Sequence, residues 1–543
     1  MQTQSPRQVP LRPSLGGSDS QFRHRSRAAG IRTRAPTQRL HHPLAAMQLQ
    51  HKMYRVYLDW NIISALKNAK KANTIEELNI LLDSNQQNIL TPYSPAHIQD
   101  LLKGSDKQEN IEIIRRDLDF LDKLSRQNCI QFDFKKKYAY PTIESAHLLF
   151  DGYFETSKES FLHPSYLENL FNDTPFPSLG KLMTSAWKLT PVDIDFNKFE
   201  ENPESKEILE KYFKRTKVSN NLYNLMLDFS EFYSALNQDP AIYKKLIQIF
   251  RDNAGIDPNW ISNLKEPLAQ LDEILLKSKL GFGFEKLSTI EPDEKTDILN
   301  NYFMKFSMEY AGLDMSGYHP DSFTKKNLFS NFTNDSHHAF YAAHCDYFVS
   351  YEKKLLKKAK AIYDKYKVET KTLLPTDFVD EISYNLREPF DAQYLFDAIN
   401  KTLAHGPINE LKEHNYNDSV IVLFKPDVPI LAYFNFLYLK QDKNNRSTVF
   451  LRHIYKNFSG FSFYTEIESI VNKCYTIFGS DVSKREAFNT DDRNNISENK
   501  WGGRIWFTEN YLIELTYDEL STGVQLVFEQ ITDDYLNELK QMH

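Results

Sequence analysis

Cysteine is nearly missing from this chain: three occur in 543 residues (Cys129, Cys345 and Cys474), far apart in sequence. So sparse and odd a set excludes a disulfide framework and points to a reducing compartment. A surplus of positive charge is lacking as well. Lys+Arg 66 against Asp+Glu 73 gives −7, so no global basic field draws in a polyanion, and such a partner has to be met by a local patch. Long hydrophobic runs are also absent. The most apolar stretch, PILAYFNFLYL (429–439), falls short of the ~20 residues that cross a bilayer. A soluble, cytoplasmic protein without a membrane partner is expected, and no internal repeat is evident.

Material for real cores is there: 41% of residues are hydrophobic and 13% aromatic. At roughly 100–200 residues per domain the length suggests about three domains. Residues 1–46 stand apart, with eight arginines, no lysine and one acid, Asp19. They read as a disordered leader: either a transit-type peptide or upstream sequence joined wrongly to a start at Met47 or Met53.

MYRVYLDWN (53–61) reads as a short strand ending in Asp59 and running into a helix. TIEELNILLDS (74–84) has helical spacing with Thr74 and Glu77 as a capping box. NILTPYS (88–94) reads as a second strand, and Ser94-Pro95 opens a helix that Gly104 stops; another helix spans roughly 107–127. This alternation over 53–140 implies a parallel sheet. Residues 141–325, with patterns such as ESKEILEKYFKRT and YKKLIQIFRDNAG, read as a mostly helical insertion. The α/β rhythm resumes over 326–388: Asn334 as a cap, SHHAFYAAHC as a helix, DYFVS as a strand, EKKLLKKAKAIYDKYK as a helix and KVETKTL as a last strand. From 390 to 543 a helix beside paired strands indicates a separate α+β module, whose Trp501, Trp506, Tyr511 and Tyr517 are expected to fill a sheet face.

Ligands of open parallel sheets sit beyond the carboxyl ends of the strands. Asp59 is at such an end, Asp335 opens the helix before DYFVS, Glu352 follows that strand, and Asp100 lies in the helix after the second strand. Four carboxylates in one crevice repel one another unless cations sit among them. Hard oxygen donors select Mg²⁺ or Mn²⁺, which can hold a phosphodiester and activate water. The pieces VYLDWNIIS, SPAHIQDLLKG and NDSHHAFYAAHCDYFVSYEKKLLKKA followed by LLPTDFV resemble the PIN-domain nucleases, a large bacterial and archaeal family that includes toxin ribonucleases. The resemblance covers about 53–135 and 330–385.

That resemblance implies a PIN-like α/β parallel-sheet sandwich, carrying the helical insertion and the C-terminal α+β domain, and a metal-dependent endoribonuclease activity. It makes Asp59, Asp335 and Glu352 metal ligands, puts Asp100 in place of a helix glutamate, and gives Asn61 and Ser350 accessory roles. RNA is the implied substrate, with an antitoxin or other protein partner beside it. Asp100 is shorter and Glu352 longer than the family pattern. The alternative of a catalytically inactive scaffold that binds RNA or a protein therefore stays open.

The neighbouring residues have plainer readings. His338, three residues past Asp335, and His97, three before Asp100, are placed at the crevice rim. His337, His344 and Cys345 lack the spacing of a zinc site. Lys353, Lys354 and Lys357, with Lys358 and Lys360, form a basic face that either contacts phosphates or is simply solvated. Arg55, Lys67, Lys70 and Lys71 are further phosphate candidates. Trp60 is read as core packing and Asp346 as a turn residue.

Overall fold

The computed structural model describes residues 53–68, 73–105, 107–157, 178–192, 203–257, 261, 263–279, 281, 283, 302–321, 329–387, 395–412, 420–427, 429–442, 447–508, 510–517 and 523–531. The leader at 1–46 and the candidates Lys70 and Lys71 lie outside them.

Strand β1 (Tyr54–Leu58) alternates side chains between two cores. Tyr57 enters one core with Phe306, Phe340 and Phe348; Val56 and Leu58 enter another with Ile62, Leu78, Leu118 and Phe378. After it come α1 (Trp60–Lys67), α2 (Asn73–Ser84), β2 (Ile89–Leu90), α3 (Pro95–Leu102) and α4 (Gln108–Ser125). Helix α2 begins at Asn73, so Thr74 lies inside it and the expected capping box is not formed. Strand β2 is shorter than NILTPYS suggested. Pro92 has no N–H to give a ladder, and pairing resumes only at Tyr93, which bridges Cys129 in parallel.

A hairpin not anticipated from sequence follows, β3 (Asn128–Asp133) and β4 (Tyr138–Ile143). It crosses position 140, and α5 (Ala146–Ser157) packs Ala146 and Phe150 into the core of Val56 and Leu58. Beyond it are helices α6 (Ser178–Leu189), α7 (Pro203–Tyr212), α8 (Lys214–Val218), α9 (Leu222–Gln238), α10 (Pro240–Ala254), α11 (Pro267–Lys277) and α12 (Tyr302–Ser316). Then come α13 (Phe329–Ala342), β5 (Tyr347–Val349), α14 (Lys353–Tyr366), β6 (Lys371–Leu373) and α15 (Pro375–Arg387). The four-stranded sheet is parallel in the order β2-β1-β5-β6. Its windings run outward from β1 and β5 in opposite directions, so the switch point lies between those two strands.

The remainder comprises α16 (Leu395–Ala404), β7 (Asn409–Lys412), β8 (Val420–Phe424), β9 (Phe436–Gln441), β10 (Ser447–Arg452), α17 (Tyr464–Phe478), α18 (Thr490–Ser497), β11 (Arg504–Phe507), β12 (Tyr511–Tyr517) and β13 (Val524–Gln530). Its seven strands form one antiparallel sheet, β11-β12-β13-β10-β9-β8-β7. Ile467 and Ile470 of α17 pack on Leu437, Leu526 and the buried Trp501 and Trp506. PILAYFNFLYL thus becomes a buried turn and strand, and among the described residues no helix is long and apolar enough to cross a membrane.

Arg55 ties the parallel sheet to α17 and the loop before it, and is not a phosphate contact. Only 2% exposed, it donates Nε to Glu466 Oε1 at 2.8 Å, Nη1 to Ser459 Oγ at 2.8 Å, and Nη2 to Tyr455 Oη at 2.6 Å and the Phe461 carbonyl at 2.7 Å. A side chain that alternates away from Val56 and Leu58 reads as solvent-facing in one strand, yet here that face is covered.

Lys473 of α17 is the reverse case, a half-buried ammonium bonded, among the described residues, to the Leu431 carbonyl alone at 2.8 Å. Burial lowers it to about 8, below its unfolded value near ~10.4. Between those values the unfolded chain holds the extra proton, so stability rises with pH there, and the full penalty is present below 8. Lys473→Met is expected to gain about 1–3 kcal/mol at pH 7 and to flatten the rise between pH 8 and 10 in denaturant titrations.

Candidate metal centre

Asp59 follows β1 and caps α1, its Oδ1 accepting from Trp60 N at 2.7 Å. Its Oδ2 accepts from Asn61 Nδ2 and from Ser350 Oγ, each at 2.6 Å. Ser350 lies just past β5, the strand beside β1, and its hydroxyl also takes the Glu352 N–H at 3.0 Å. Asn61 Nδ2 reaches Glu352 Oε1 at 3.4 Å. Asp59, Asn61, Ser350 and Glu352 are therefore one hydrogen-bonded unit at the switch point.

A second unit comes from α3 and α13. The capping box at Ser94 uses His97, whose Nδ1 accepts from Ser94 N at 3.0 Å while Nε2 bonds the Leu58 carbonyl at 2.8 Å. His97 is thus fully buried and pins α3 to β1; it is not a rim residue. That places Asp100 beside His338, with Oδ2 to Nε2 at 2.8 Å, and Asp100 Oδ1 takes Lys103 Nζ at 2.7 Å. His338 also sits inside, 1% exposed, 3.9 Å from Asp59 Oδ1. Tyr57 Oη lies 2.9 Å from its Nδ1 and 2.6 Å from Ser94 Oγ. With the Tyr57 hydroxyl donating to Nδ1, Nε2 carries the proton toward Asp100; Asn334 Nδ2 also lies 3.3 Å from Nε2.

Asp335 does not open its helix. Helix α13 starts at Phe329, which puts Asn334 and Asp335 in its second turn. Asn334 is a tertiary tie and not a cap: its Nδ2 donates to the Ala96 carbonyl at 3.0 Å, and its buried Oδ1 has no partner among the described residues. Burial drives the Asp335 carboxyl well above the ordinary carboxylate range, with Glu352, Asp59 and Asp321 adding to it and Lys358 opposing. Asp59 is raised by burial against His338 and the Ser350 bond. The Glu352 carboxyl, desolvated although the residue as a whole is exposed, is raised too, with Asp59 next in effect. Asp100 is the exception. Burial pushes it up, but the bond and charge of His338, with Lys103, hold it low.

Only Asp59, Asp100 and His338, among the described residues, bring acid, histidine or cysteine donors within mutual ligand distance. That group could bind a metal. His337 turns to Gln99 at 3.2 Å, His344 bonds the Phe340 and Tyr341 carbonyls, and Cys345 is buried apart, so no zinc set forms from them. The donors facing the crevice are mostly carboxylate oxygens, which suit Mg²⁺ or Mn²⁺, with one imidazole that Mn²⁺ tolerates. Three raised acids without a lysine or arginine bond among the described residues are what a divalent cation would relieve.

No family model, curated protein or solved structure matches this chain. The site rests on its own geometry.

The basic face divides. Lys353 and Lys357 are exposed, Lys354 binds the Pro320 carbonyl at 2.5 Å, and Lys360 pairs with Asp364. Lys358 is fully buried between Asp314 Oδ1 at 2.9 Å and Asp321 Oδ2 at 2.6 Å. Lys67 pairs with Asp117. Trp60 packs against the core, and Asp346 accepts from Arg55 N at 2.9 Å.

Sequence reasoning missed Tyr57, Asp321 and the Asp314–Lys358 pair. Lys358 did leave a signal, because it falls in the apolar stripe Leu355, Leu356, Ala359, Ile362. Asp314 and Asp321 sit in the insertion and carry no local mark. Tyr57→Phe removes the hydroxyl that orients His338; metal affinity, read by titration, is expected to fall about 10–100-fold with little change in fold.

Proposed function

We propose that the chain is a metal-dependent endoribonuclease of the PIN type, hydrolysing RNA phosphodiesters at the crevice of Asp59, Asp335 and Glu352 with Mg²⁺ or Mn²⁺. The observation that carries this reading is the gathering of three raised carboxylates, Asp59, Asp335 and Glu352, from separate segments beside the sheet's switch point, with no lysine or arginine bonded to them among the described residues. Asp59, Asp335 and Glu352 would hold the ion, with Asp100 and His338 at its edge; when bound, it supplies a polarised phosphate and a more acidic water. Ser350 and Asn61 hold Asp59 oriented. The first turn of α14 has no side-chain cap bond at Glu352, so its N–H groups and the exposed Lys353 and Lys357 are available to substrate phosphates.

A second reading, an inactive PIN-like scaffold that binds RNA or a protein, is favoured by Asp100: both of its oxygens are engaged, by His338 and Lys103. Incubating mixed RNA substrates with the full chain and Mn²⁺ separates the two. Cleavage by the native chain that Asp335→Asn abolishes supports the nuclease. Metal-dependent thermal stabilisation without cleavage supports the scaffold, and absence of both removes the two together.

A further inference from the structure

Away from the acidic crevice, a cleft of about 740 Å³ opens between the end of α4 and helices α17 and α18, with none of the crevice acids in its wall. Arg126 lines it from the C-cap of α4, at φ 52, followed by Gln127 at φ 61. Two successive non-glycine residues in the left-handed region are uncommon, and the Tyr464 hydroxyl bonds the Arg126 carbonyl there. The Arg126 guanidinium is not similarly served: its buried Nη2 has no hydrogen-bond partner among the described residues. Across the cleft, Arg493 donates to Gln127 Oε1 at 2.6 Å and lies 4.9 Å above the Tyr464 ring. Lys123 adds a third positive charge to the wall.

Two acids face these cations. Asp122 already accepts from Ser145 Oγ and Ala146 N, each at 2.7 Å; Glu468 is the other. Positive charge therefore exceeds negative, and one guanidinium nitrogen is buried without a bond among the described residues. Guanidinium forks match a phosphate's tetrahedral oxygens, and charge-assisted bonds of this kind are the strong ones. The depression is shallow and open, and Phe488 and Tyr464 offer apolar surface beside Thr490 and Asn489.

We propose that this cleft binds the phosphate of a nucleotide, between the arginines Arg126 and Arg493. Burial holds Arg126 below its ordinary value, a penalty that a bound anion would offset. The phosphate can come from a free mononucleotide or from the 5′ end of an RNA strand. The site stands or falls independently of the nuclease reading, since it shares no residue with the crevice.

Calorimetric titration of the full chain in chelator, at matched ionic strength, compares AMP, adenosine, and an RNA tetramer with and without a 5′-phosphate. AMP is expected to bind saturably and adenosine not at all. Arg126→Gln and Arg493→Gln should each weaken binding about tenfold or more, while Asp335→Asn leaves it intact. Tighter binding of the phosphorylated tetramer than of AMP assigns the RNA end; the reverse assigns the free nucleotide, and either supports a phosphate site. Should a ligand-free melt show Arg126→Gln unfolded, the partly exposed Arg493→Gln decides alone. Adenosine binding as well as AMP, no AMP binding, or AMP binding unchanged by the arginine substitutions overturns the proposal.

Discussion

Arg55→Met is expected to destabilise the chain by about 3–5 kcal/mol, read as a shift in the denaturant midpoint. The size follows from what is left behind. Glu466, 3% exposed, accepts from Arg55 through both oxygens, at 2.8 and 2.6 Å, and would remain as a charge in a dry interior. The guanidinium carbon also lies 4.1 Å from the Tyr455 ring centroid and 4.9 Å from that of Phe463, contacts methionine can only partly replace. Glu466 does have another duty, since it accepts from Phe463 N at 2.9 Å as part of the cap of α17. The double variant Arg55→Met with Glu466→Gln should therefore recover much of the loss while keeping the cap. If the single variant shifts the midpoint by less than about 1 kcal/mol, in the range of an exposed ion pair, β1 and α17 are not held together by this bond.

The second large effect is on Asp335. On the proposed nuclease function, Asp335→Asn is expected to lower RNA cleavage by at least about 10²-fold, the scale that misplacing one group in an active site can reach. In chelator the same substitution should make the protein more stable. Because its folded carboxyl lies above the unfolded value near ~4, the native state holds the proton more tightly than the unfolded chain does. The destabilisation is absent below the unfolded value and grows as pH rises toward the native one. Thermal melts in chelator at pH 5 and pH 8 should show the variant's advantage larger at pH 8. A variant less stable than the native chain at both pH values would mean that Asp335 is bonded and satisfied, not held among like charges.

Much of the crevice was legible because its parts are local. Asp59 at the end of an alternating strand, Ser94-Pro95 opening α3, and Glu352 after a short apolar strand each follow from a few neighbouring residues. What could not be read depends on partners far along the chain. Arg55 meets Glu466, 411 positions away, so a single charged residue in a strand looked like surface. Asn334 reads as a cap because asparagine is good at capping; in the fold it lies inside a helix already running from Phe329 and uses its amide to hold Ala96. His338 was placed at the rim because nothing in its own segment reveals that Tyr57, on a strand 281 positions away, bonds its other nitrogen. The β3–β4 hairpin was readable, since QFDFKKKYAYPTI alternates on both sides of a lysine turn whose Lys137 sits at φ 61, but that alternation was passed over.

The most direct measurement is Mn²⁺ titration of the full chain at pH 7, followed by calorimetry and by the thermal midpoint, beside Asp335→Asn and Asp59→Asn. One saturable site is expected in the native chain, with a stabilisation of about 2.7 kcal/mol at a hundredfold excess over Kd, lost in both variants. Equal Mn²⁺ binding by all three proteins, or none by the native chain, would contradict an ion held among these acids.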